Sequence, residues 1–221
     1  MIELLLENKE LIKIIYALAI MFICAFIVLK TDRLFQLSLH RGIRYFRNAF
    51  FFYGVGFFIR YILSPYLPNY FFIFSLFEFF LVTAGFFLLY SLLWKNFEDP
   101  NKKSTSSLFN PKIFIFYLMS AVIVLLDYFW QTYYFLFLSQ IIIFLIVGAI
   151  SYSKYLQDKV KHKFMKQYSF AMMLSLSAWV LNALASFWFS WNLLAIIIVY
   201  LLNIIIFLLF LYGVLKFTRQ R

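Results

Sequence analysis

The chain has 221 residues, of which 65% are hydrophobic and only 13% charged, and its formal net charge is +11. Globular domains hold roughly 45–50% apolar and about 25% charged residues, so a water-soluble domain of this length has no means of hiding so much apolar surface. Lipid is the solvent that fits. The apolar runs are of helix length, and hydrocarbon offers bare backbone N–H and C=O groups no partner, so they are expected to be helices and not the short alternating strands of a barrel.

About 20 apolar residues cross a bilayer. By that measure seven spans are expected, at 11–29, 45–63, 70–94, 113–128, 132–152, 168–189 and 193–215, in an all-α polytopic membrane protein without a soluble domain. The segment before the first span, 1–10, lacks the basic stretch of a secretory leader, and no cleavage is expected. Cys24, the single cysteine, falls mid-span and excludes an intramolecular disulfide or a thiolate metal cluster. The second span carries Arg60 and the pair Gly54 and Gly56, too short for a phosphate loop and suited to close helix packing. The third carries Glu78. The polar stretch from Lys95 to Pro111 reads as a linker. The fourth span is the shortest and its end is marked early by Asp127, which is expected at the water interface.

The basic residues test this count, because Lys and Arg near span ends are retained on the cytoplasmic side. With seven spans, 17 of the 20 basic residues fall on the side of the first, third and fifth loops and the C-terminal tail. The expected orientation is N-out and C-in. The net charge, which in a soluble protein invites a nucleic-acid reading, is then a topology signal. No nucleic-acid partner is expected, while anionic lipid headgroups suit the cytoplasmic loops. Tyr128, Trp130, Tyr133, Tyr134, Trp188 and Trp191 gather at the outer boundary as an aromatic belt.

A shift of 122 residues sets spans one to three on spans five to seven, placing His40 on His162, Arg44 on Lys166 and Arg60 on Asn182. Two repeat units, 11–94 and 132–215, are thus expected around a connector helix at 113–128. This layout resembles the three-plus-one-plus-three arrangement of SWEET-type sugar carriers and, more distantly, of microbial rhodopsins. The resemblance is one of layout and implies a seven-helix, N-out bundle. All four prolines lie outside the spans, unlike the bending helices of those carriers, and no lysine occurs between Leu193 and Leu215 where a rhodopsin holds retinal. Neither chemistry is implied.

Ionisable groups inside a bilayer are costly enough to mark function by default. Arg60 and Glu78 lie on spans joined by a short loop and are within reach of a bidentate pair. Gln140, Asn182 and Asn203 gather at similar depth in spans five, six and seven. On span six Ala171, Ser175, Ala178, Asn182 and Ala185 form one small, polar stripe. Together, Arg60, Glu78, Gln140, Asn182 and Asn203 are the candidate polar cluster of the outer half. Each is open to a ligand role or to a structural one, as an interhelical hydrogen bond.

An enzyme is not expected. Both histidines, His40 and His162, fall in loops, no metal-ligand spacing occurs, and no two intramembrane carboxylates are placed to share acid and base roles. No cofactor follows. The leading expectation is a sensor or binding module for a small ligand from the outer side, with a cytoplasmic protein partner. A small-solute carrier is the second reading and an assembly or scaffold subunit the third.

Overall fold

In the computed structural model the described residues are 9–38, 41–66, 70–97, 108, 111–130, 132–157, 163–188 and 193–219. They form seven α-helices: α1 (Lys9–Ser38), α2 (Arg41–Phe58), α3 (Tyr70–Phe97), α4 (Pro111–Trp130), α5 (Tyr134–Gln157), α6 (Lys163–Phe187) and α7 (Leu193–Arg219). His40, His162, Trp191, most of the 95–111 stretch and residues 1–8 lie outside the described set.

Six helices close a ring in the order α1, α2, α3, α5, α6, α7 and back to α1. The seventh, α4, sits outside the ring against α3 and α5. Polarity is arranged for lipid. On α4, Ile113, Ser120 and Asp127 recur every seven residues and are buried, while Phe114, Leu118, Val122, Leu125 and Phe129 face outward. On α7, Ile198, Leu201, Ile205 and Leu208 make a second outward apolar stripe. Large apolar side chains left open on a folded surface at helical spacing mark a face meant for hydrocarbon.

Six of the seven helices are long and apolar enough to cross a membrane, and the chain is a membrane-embedded multi-pass protein. The uncertain member differs from the one the sequence singled out. α4 runs for 20 residues, about 30 Å at 1.5 Å per residue, which matches a hydrocarbon core. The helix that falls short is α2. It starts at Arg41, four residues before the expected span, so Arg41, Arg44 and Arg47 lie within its first two turns. Arg47 forms an ion pair with Asp32 near the end of α1, and the Arg44 guanidinium lies over the Phe35 ring. These contacts hold the start of α2 at a polar end of the bundle. The rest of α2 is largely enclosed, with Tyr45, Phe46, Ala49, Phe50, Phe52, Tyr53 and Phe57 all buried.

Close approach depends on small residues. A Cβ on Gly42 would lie 2.8 Å from both the Ser91 carbonyl oxygen and the Trp94 indole nitrogen, so α2 meets α3 almost backbone to backbone there. Gly54 and Gly56 play the packing role expected of them, facing Cys24 of α1 and Phe80 of α3.

Gly42→Ala is therefore expected to destabilise the purified protein by about 1–3 kcal/mol, the range for overpacking, in a dodecyl sulfate unfolding titration. Unchanged stability would show that α2 and α3 separate freely at this point.

Candidate functional site

The ring encloses a cavity of about 440 Å³, within the usual range for ligand sites. Its wall is built from all six ring helices. On α2, Phe50, Tyr53 and Phe57 line it at steps of three and four, and the next step is Arg60. The backbone there leaves the α-helix, since Ile59–Leu63 form a π-helical turn. Such a turn widens the helix and re-aims its side chains, and π segments recur at functional sites. Arg60 faces the cavity, half-buried, with its guanidinium carbon 4.4 Å from the Phe74 ring centre and 4.9 Å from that of Phe77. Those rings supply cation–π attraction and no hydrogen-bond acceptor.

Opposite α2, the stripe on α6 makes the room. Ser175, Ala178 and Asn182 line the cavity, and their small volume leaves it open. Ser175 and Asn182 donate to the carbonyls of Ala171 and Ala178 one turn earlier, at 2.8 and 2.9 Å. Asn203 of α7 also lines the space and donates to the Tyr16 hydroxyl at 3.1 Å. Tyr16 stacks on Tyr200, ring centres 3.9 Å apart and nearly parallel, and meets Phe57 and Tyr61 edge-on. Tyr53 is buried, and its hydroxyl has no hydrogen-bond partner among the described residues.

The structure thus gathers Arg60, Asn182 and Asn203 around one cavity and places Glu78 and Gln140 elsewhere. No ion pair joins Arg60 to Glu78 among the described residues, because they project from different faces of neighbouring helices. Gln140 is fully buried between α5 and α3, donating to the Leu81 carbonyl at 3.4 Å beside Gly85.

Glu78 meets a partner that the sequence had assigned to water. Asp127 is only 2% exposed, which corrects the expectation of an interfacial charge. The α4–α5 connection is so tight that the start of α5 folds over the end of α4. Asp127 accepts from the backbone N–H groups of Phe135 and Leu136, at 3.0 and 2.6 Å, and from the Thr132 hydroxyl at 3.2 Å. Tyr133, at the cap position, has no oxygen that reaches back to these first-turn donors, so Asp127 caps α5 from the preceding helix. Glu78, itself 2% exposed, lies beside the same carboxyl. Two buried carboxyls therefore stand side by side. One helix turn before Asp127 and one more, Ser120 accepts from Thr83 at 3.0 Å, giving α4 a second polar tie to α3.

The tyrosines were the residues that sequence reasoning passed over. Tyr16, Tyr53 and Tyr200 sit inside apolar runs, away from the headgroup ends where tyrosine usually anchors, and that position was the available signal. No family model matches the chain, and neither a curated protein nor a solved structure matches it.

The roles of the two carboxyls separate cleanly by substitution. Glu78→Gln keeps a polar side chain of the same size beside Asp127 and is expected to leave stability nearly unchanged. Asp127→Ala strands two backbone donors and the Glu78 carboxyl and is expected to cost about 1–3 kcal/mol. Equal losses for the two variants in thermal unfolding would contradict the role of Asp127 as the cap of α5.

Proposed function

We propose that the chain is a membrane-embedded, non-enzymatic binding protein for a small ligand, acting as a sensor or partner-interaction module. The observation that carries this reading is the cavity, walled by six helices and lined by Arg60 without a carboxylate partner among the described residues. The neighbouring carboxyls, Glu78 and Asp127, do not line it and are occupied in joining α3, α4 and α5. The polar cluster proposed for ligand contact is accordingly Arg60, Asn182 and Asn203, with Glu78 and Gln140 in structural roles.

The orientation that suits this role is N-out and C-in, supported by the bias of 17 of 20 basic residues toward one side. The cavity then lies toward the outer face, open to ligands from outside the cell or from the outer leaflet. The basic side is left to anionic headgroups and to a cytoplasmic protein partner. An Arg47–Asp32 tie between α1 and α2 near that side gives such a partner a fixed surface to read.

One observation favours a small-solute carrier of three-plus-one-plus-three design as a second reading. Around the ring, the contacts of α1 with α2, α2 with α3 and α3 with α5 are matched by those of α5 with α6, α6 with α7 and α7 with α1, and α4 is left outside. That pattern is what two related halves joined by a connector helix would give.

A direct test is to fill the space. Ala178 borders the cavity, so Ala178→Phe is expected to keep or raise thermal stability while abolishing stabilisation by ligands found in a chemically mixed panel. If no compound stabilises the unaltered protein in a way that Ala178→Phe removes, the binding reading fails. Saturable flux of a stabilising compound into proteoliposomes would replace the sensor with the carrier.

A further inference from the structure

We propose that the cavity takes a single-chain amphiphile with an anionic head, carboxylate or phosphate, whose head pairs with Arg60 and whose apolar chain runs inward between α2, α6 and α7; this names the ligand class for the binding reading above and rests on it.

Shape gives the first argument. On α7 the lining runs from Ile196 to Phe210, a length of about 20 Å at the helical rise. The space is therefore elongated along the helices, a shape that suits an extended chain. Phe50, Phe207 and Phe210 close its inner end with ring centres 5.2–5.8 Å apart, so this end offers only apolar contact.

Charge gives the second. Arg60 stands at the opposite end, and a guanidinium pairs with carboxylate or phosphate through two parallel hydrogen bonds. Among the described residues its close neighbours are the faces of Phe74, Phe77 and Tyr61. Three rings orient the cation and leave its N–H donors unspent. Lys13 lines the same end. Among the described residues no carboxylate lines the cavity, so its wall carries no negative charge to pair with a cationic ligand.

The third argument is the Tyr53 hydroxyl, buried and without a partner among the described residues, two helical turns inward from Arg60. An unmet hydroxyl in an apolar wall is costly. A ligand bearing a hydroxyl or carbonyl part-way along its chain would satisfy it, which ranks oxygenated chains above plain ones.

The test uses the full chain in phosphatidylcholine nanodiscs and dodecanoate brominated at its terminal carbon, which quenches nearby tryptophan. Trp179 is the tryptophan that lines the cavity. Saturable quenching is expected, absent in Trp179→Phe and reversed by unbrominated dodecanoate or dodecyl phosphate; whichever competes better identifies the head. The brominated alcohol and the brominated trimethylammonium compound of the same chain length are expected to bind at least about tenfold more weakly, as is dodecanoate to Arg60→Gln, since a charge-assisted hydrogen bond is lost. If Arg60→Gln does not fold, the comparison of heads on the unaltered protein decides alone. Equal binding of acid and alcohol, or unchanged affinity in Arg60→Gln, would overturn the anionic class while leaving a binding cavity in place. Absence of saturable quenching by every probe overturns this proposal, and the wider binding reading then stands or falls on the Ala178→Phe comparison.

Discussion

Hydrocarbon supplies no hydrogen-bond partners, and this one constraint shapes the molecule at every scale. It closes the backbone into seven helices, and it acts again on the side chains. Ser120, Ser175, Asn182 and Thr218 each return a donor to a carbonyl four residues back on their own helix. Asn203 and Gln140 reach across to a neighbouring helix. Against this background the buried groups that stay unmet stand out, because each carries a desolvation cost with nothing to offset it. The Tyr53 hydroxyl lines the cavity, whereas the unmet oxygens of Glu78 and Gln140 lie in the seam between α3 and its neighbours.

That seam organises the half of the protein away from the cavity. α3 touches α2, α4 and α5, and its polar residues are spent on these contacts. Thr83 meets Ser120, the Leu81 carbonyl meets Gln140, and Glu78 meets Asp127. Asp127 does the most, since one side chain caps α5, ties the turn between α4 and α5, and lies beside Glu78 of α3. A helix outside the ring would otherwise be held by apolar contact alone, which in lipid has little driving force beyond packing.

The cavity owes its existence to an asymmetry between facing helices. α2 presents Phe50, Tyr53 and Phe57, while α6 answers with Ser175, Ala178 and Asn182. Bulk on one side and small volume on the other would fill the space if the helices closed up. They stay apart because the ring is fixed elsewhere: α2 is pressed against α3 at Gly42, and α1 is stacked on α7 through Tyr16 and Tyr200. The π turn then sets Arg60 at the end of this aromatic row.

The sequence by itself determined what periodicity and composition control: helices instead of strands, their number and approximate limits, a lipid-facing surface, and the small stripe on α6. It also marked Arg60, Asn182 and Asn203 as residues that needed a reason to be where they are. Only the tertiary structure decided which polar groups meet. Arg60 and Glu78 were paired by proximity along the chain, but a helix presents neighbouring residues to different sides: Arg60 follows Phe50, Tyr53 and Phe57 to the cavity, and Glu78 does not line it. Asp127 was assigned to water because it lies near a helix end, and it is buried because a tight turn folds α5 over it. Depth along a helix can be counted from residue numbers. Direction around the helix, and the neighbour found there, depend on how seven helices pack at once.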